Sequence, residues 1–128
     1  MAQKEGRNRG RLDASSGTAV AAADFAVGAG WGATGSVTNV RTGSNDQAGS
    51  FTITAAGGSY AQATATIVLT FKDGAYASAP RAVHVSMSNA VALDTGHATW
   101  SCTTTALTIT YLVLPAAGAY TFTYTVHS

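Results

Sequence analysis

Three histidines, His84, His97 and His127, are the side chains best suited to hold a metal or move a proton near neutral pH. None belongs to a cysteine-histidine cluster with zinc-ligand spacing. A trimer could gather one of them around a threefold axis, but the simpler expectation is that all three are surface residues on strands. Asn45-Asp46 and Asp73-Gly74 carry oxygens that calcium would accept. The same pairs are ordinary turn formers, and turn chemistry is the expectation. Serine, histidine and aspartate all occur, but no Gly-x-Ser-x-Gly elbow or other activated nucleophile is present. The six acids are scattered, not paired as glycoside cleavage requires. The glycines around Trp31 lack a following Lys-Ser/Thr, so no phosphate loop is read there. The sequence therefore predicts no enzyme, no cofactor and no metal.

The remaining chemistry is charge. Residues 1–13 hold Lys4, Arg7, Arg9 and Arg11 against Glu5 and Asp13, a net of +2. The rest holds three cations against four acids, a net of −1. Such an arm could neutralise phosphates or dock on an acidic protein surface. It has no interleaved aromatics for base stacking, so a protein surface is the expected partner and nucleic acid is not. Phe25 and Trp31 are large apolar groups in a glycine-rich segment. They are expected to anchor that segment, on its own domain or on a neighbouring subunit.

What must position these groups is a β-sheet scaffold. Tyr120-Thr121-Phe122-Thr123-Tyr124-Thr125-Val126 puts aromatic and aliphatic groups on one parity and threonine on the other, the period of a strand with one buried face. The same alternation predicts strands near 37–41, 51–54, 63–72, 81–86, 97–103, 107–114 and 119–127. Turn residues separate them: Gly43 to Gly49, Gly57-Gly58-Ser59, Asp73 to Pro80, Asn89 to Gly96, Thr104 to Ala106, and Pro115 to Gly118. Cys102 shares a parity with Trp100 and reads as a small buried hydrophobe. The expected fold is all-β: one antiparallel sandwich of seven to eight strands, jelly-roll or Ig-like, over residues 34–128, with residues 1–33 as an extended basic and Gly/Ala-rich arm.

The chain has 128 residues, one domain's length. Only 10% of them are charged, well below the usual quarter. A Thr-rich surface with so little charge suits a protein packed against copies of itself or other subunits. One cysteine allows no intrachain disulfide, which fits assembly in a reducing compartment. No apolar run is long enough for a membrane helix. The stretch Thr18 to Ala33 behind a basic start is not expected to be a cleaved signal, because Asp24 and several glycines interrupt it.

Three stretches carry a resemblance: Phe25 to Gly32, Gly43-Ser44-Asn45-Asp46-Gln47-Ala48-Gly49-Ser50-Phe51-Thr52-Ile53-Thr54, and Leu69-Thr70-Phe71-Lys72-Asp73-Gly74-Ala75-Tyr76 running to Pro80-Arg81. In sequence they resemble small structural proteins and fibre-head domains of tailed bacteriophages. There a glycine-and-aspartate turn opens a strand, and a Phe, Tyr and Pro segment precedes further hydrophobic strands. The resemblance covers about residues 25–128 and rests on turn and packing motifs.

It implies a β-sandwich displayed on the virion, commonly as a trimer, with no catalytic or metal residues. This chain has no long shaft, so the implied role is capsid decoration. A homotrimer would bind the major capsid protein on the outer head surface and stabilise the shell, after assembly in the host cytoplasm. Lys4, Arg7, Arg9, Arg11, Phe25 and Trp31 would make the contacts with capsid or neighbouring subunit. The alternative is a receptor- or carbohydrate-binding head of a tail or head fibre, using loop aromatics such as Tyr60 or Tyr76 to stack on sugars.

Overall fold

A computed structural model describes residues 17–89 and 98–127. Eight strands occur there: β1 Phe25–Val27, β2 Ser36–Val40, β3 Ala48–Ala55, β4 Thr66–Thr70, β5 Ala82–Asn89, β6 Ala98–Cys102, β7 Ala106–Tyr111 and β8 Gly118–His127. They form two four-stranded sheets, ordered β1-β4-β7-β6 and β2-β3-β8-β5, with every pairing antiparallel. The all-β sandwich expected from the alternation is what the chain adopts.

Parity decides which residues enter the core. Tyr120, Phe122, Tyr124 and Val126 of β8 are buried, and so are Phe51, Ile53 and Ala55 opposite them on β3. From the other sheet come Ile67 and Leu69 of β4 and Leu107, Ile109 and Tyr111 of β7. Burying each such large side chain contributes roughly 1.5–3 kcal/mol. The outer faces carry threonine. The hydroxyls of Thr52 and Thr121 share a hydrogen bond at 2.9 Å, and those of Thr38 and Thr54 one at 3.0 Å.

The strand connections alternate between two ends of the sandwich. One end holds Gly17 to Asp24, the turn after β2, the loop after β4, the turn after β6 and the end of β8. The other holds the segment from Gly28 to Gly35, the loop after β3 and the turn after β7. In that last turn the Tyr120 hydroxyl accepts from the Ala116 N–H at 3.0 Å and donates to the Ala116 carbonyl at 3.1 Å. This ties β8 to the residues that lead into it, as a tyrosine corner does.

The expected boundary at 33/34 falls inside the packed body. Phe25–Val27 is a strand of the first sheet, paired with Ile67–Leu69. The core could not close without it, because Phe25 and Trp31 fill its side. Residues from Val20 to Trp31 therefore belong to the packed body, and Lys4, Arg7, Arg9 and Arg11 lie outside the described residues. So do the loop expected after β5 and His97, apart from Asn89, the last residue of β5.

Candidate functional site

Trp31 is fully buried, and the glycines around it explain how a side chain from a connecting segment gets there. Gly28 N–H donates to the Thr66 carbonyl at 2.8 Å and Gly30 N–H to the Thr64 carbonyl at 3.0 Å. A Cβ on Gly30 would stand 2.2 Å from the Ala61 carbonyl oxygen, so only glycine allows this approach. Gly32 turns the chain at φ +104°. The indole then lies stacked on Tyr111 with centroids 5.5 Å apart, edge-on to Tyr120 at 5.2 Å, and donates Nε1–H to the Thr66 carbonyl at 3.1 Å. Phe25 is buried against Phe51 at 4.5 Å. Of the two anchoring places expected for Phe25 and Trp31, they occupy their own sandwich. Neither offers a surface to a partner in this fold.

The opposite end is held by polar groups. Ser44, Asn45 and Asp46 are buried although they belong to a polar turn. The Asn45 side-chain oxygen accepts from the Gln47 and Ala48 N–H groups at 2.9 and 3.1 Å, which closes the turn. Asp46 reaches across to the loop after β4. Its two oxygens accept from the backbone N–H of Lys72 at 2.9 Å and of Asp73 at 2.8 Å. Asp73 in turn accepts from the Thr18 backbone N–H at 2.9 Å and from the Thr18 hydroxyl. Lys72 Nζ sits 3.2 Å from Asp24 and donates to the Ala19 carbonyl at 3.2 Å. Val20 N–H donates to the Ser44 carbonyl, and Val126 N–H to the Gln47 carbonyl. A Cβ on Gly49 would fall 2.6 Å from the Tyr124 hydroxyl, whose proton goes to the Asn45 carbonyl.

This clasp binds four stretches of chain that are far apart in sequence. Hydrogen bonds hold two of its carboxyls below the usual range: those from Thr18 act on Asp73, and that from the Ala21 N–H, helped by Lys72, acts on Asp24. Asn45-Asp46 and Asp73-Gly74 do meet here. Asn45 makes the expected local turn bonds, whereas both Asp46 oxygens are taken by N–H donors of the loop after β4, which turn chemistry alone does not anticipate.

Beside the clasp a cleft of about 300 Å³ opens between Gly17, Asp46, Gln47 and the run Asp73-Gly74-Ala75-Tyr76. Tyr76 packs edge-on to Phe71 at 5.1 Å and is partly buried. Burial, reinforced by the nearby Asp46 charge, pushes its phenol above the ordinary value. The cleft thus offers one aromatic wall and several hydrogen-bonding groups, with no activated nucleophile.

The other candidates are placed as follows. His84 and His127 are exposed on the outer face of adjacent strands, one diagonal apart. No group of three or more His, Cys, Asp or Glu able to hold a metal occurs among the described residues. Cys102 is half-buried, not fully buried as expected, because β6 lies at a sheet edge. Burial raises its thiol pKa, so it is not activated. Tyr60 packs partly against the core. Lys4, Arg7, Arg9 and Arg11 lie outside the described residues. No helix among the described residues is long and apolar enough to cross a membrane.

Sequence reasoning did not find the clasp. Its signal was a Ser-Asn-Asp run that reads as solvent-facing. Compared with protein-family models, with curated proteins and with solved structures, the chain finds no match.

Proposed function

We propose that this chain is a structural protein of a tailed-bacteriophage particle, a decoration protein that binds the outer head surface as a trimer and stabilises the shell. The supporting observation is the polarity of the sandwich. Asp24, Arg41, Asp46, Lys72, Asp73 and Arg81 are the charged residues among those described, and all lie at the clasp end. The chain leading from the basic residues joins the body at that same end, at Gly17. The opposite end carries no charge among its described residues. The body thus has a mounting end, and Lys4, Arg7, Arg9 and Arg11 are placed in sequence to act there. With Phe25 and Trp31 committed to the core, those four carry the docking contact. Three arms per trimer make modest individual contacts add up.

The test is sedimentation of the purified protein with phage heads that lack it. Saturable binding that is lost on deleting residues 1–16 supports the reading. Absence of binding sinks it.

The cleft beside Tyr76 favours a second reading, a carbohydrate-binding head of a fibre. An aromatic wall with carboxylates beside it is suited to stack on a sugar ring and accept its hydroxyl protons. Binding to host cells that Tyr76→Ala removes, and that deletion of residues 1–16 leaves intact, would select this reading over the first.

A further inference from the structure

The cleft beside Tyr76 is lined by two carboxylates that no cation of the body balances. Asp46 is only 4% exposed, and Asp73 shares the lining with it. Asp46 has its two backbone N–H donors and Asp73 its bonds from Thr18, but neither makes an ion pair among the described residues. Lys72, the cation beside them, is paired with Asp24 at 3.2 Å. Arg41 and Arg81, at the same end, pair with neither carboxylate. A charge as buried as that of Asp46 is normally matched by an opposite one.

The remaining wall is aromatic. Tyr76 is held edge-on against Phe71, and burial, then nearby charges with Asp46 and Asp73 among them, raise its phenol pKa. A ring beside carboxylates suits a guanidinium, which pairs with the acid and stacks on the aromatic face. A volume of about 300 Å³ admits one long side chain. The path of the chain supplies the occupant. Gly17 lines the cleft, so residues 1–16 join the body at its rim. The cation nearest to Gly17 in that segment is Arg11. Six residues span at most about 20 Å when extended, so Arg11 stays within reach of the rim, and so short a loop costs little entropy to close.

We propose that the cleft is the seat of Arg11 from the same chain, with its guanidinium between the Tyr76 ring and the carboxylates of Asp46 and Asp73. The contact is self-inhibiting. An arginine held there is withdrawn from any other acidic surface, and a partner must displace a rival tethered at roughly millimolar effective concentration. That consequence rests on the docking role proposed above for the basic residues; the seating of Arg11 does not.

The test is NMR of the isotope-labelled full chain beside its Arg11→Gln variant. Nuclear Overhauser contacts are expected between the Arg11 side chain and the Tyr76 ring. The variant should shift the Asp73, Gly74 and Tyr76 amides and leave those of Gly28 and Gly30 in place. Salt at about 1 M, where the Debye length falls to about 3 Å, should weaken the contacts. Clasp amides that do not move in Arg11→Gln overturn the proposal. So do contacts found only between differently labelled copies, which put the arginine of one chain on another. Arg11→Gln leaves every contact of the folded body described above intact, so the result does not hinge on a variant that fails to fold. Tyr76→Ala should free the arginine and raise binding to phage heads several-fold; unchanged binding overturns the self-inhibition. If the contacts are present and heads bind neither chain, the docking reading falls and the seat stands. If heads bind and the contacts are absent, the seat alone falls.

Discussion

The two ends of this sandwich solve the same problem by opposite means. Each must tie a connecting segment to the body. At the far end the tie is apolar: a glycine-lined path drops Trp31 among Tyr111, Tyr120 and Phe122. At the clasp end the tie is polar: Asp46 and Asp73 collect backbone N–H groups from other segments, and Asn45 those of its own turn. The apolar tie depends on shape and is insensitive to pH. The polar tie depends on charge and is tunable by it.

The contrast can be broken most severely at Trp31. Trp31→Ala should cost about 3–5 kcal/mol, measured by chemical denaturation; a loss under 1 kcal/mol would mean the indole is not central. Gly30→Ala should cost about 1–3 kcal/mol, because its methyl meets backbone that has to move. At the clasp, Asp46→Ala should cost about 1.5–3 kcal/mol by stranding the Lys72 and Asp73 N–H groups. Its effect on hydrogen exchange should be confined to the clasp end. If amides near Trp31 exchange faster to the same degree, the two ends are one cooperative unit.

Acid should separate the ends without mutation. Asp24 and Asp73 have carboxyl pKa values lowered by folding. Their stabilisation is present above the ordinary carboxylate pKa and is lost as pH falls through the lowered folded values. On moving from pH 7 to below pH 3, the Thr18 and Ala21 amides should lose protection. The Gly28 and Gly30 amides, bonded to uncharged carbonyls, should keep theirs until global unfolding. Equal loss at both ends at mild acidity would refute the division. The smallest effect is expected for Lys72→Met. Its ion pair with Asp24 is partly exposed and should be worth about 0.2–1 kcal/mol, less at high salt.

How far the sequence could be read follows the same division. Strict alternation in Tyr120 to Val126 and in Ala65 to Phe71 made the strands and their buried parity legible, since those depend on neighbours two residues away. Trp31 in the core was half legible: its size demanded burial, but the approach of Gly30 to Ala61 is a contact between distant segments. The clasp was not legible. Ser44-Asn45-Asp46 has the composition of an exposed turn; Asn45 bonds locally to Gln47 and Ala48, but Asp46 is held by the N–H groups of Lys72 and Asp73 in a distant loop. Composition carries no trace of those partners. The strand order was equally hidden, because alternation marks a face and not a neighbour.

The placement of Gly17 and Val126 has a mechanical consequence. Gly17 and Val126 both contact the Asn45–Gln47 turn, so they emerge side by side. A pull that separates them would load the Val20–Ser44 and Val126–Gln47 bonds first, then peel β8 from β3 and β5 one bond at a time. Strands peeled in this way yield at lower force than strands sheared along their length. A load carried through Gly17 alone leaves that zipper shut. A pull applied between Gly17 and Val126 would therefore open the sandwich readily.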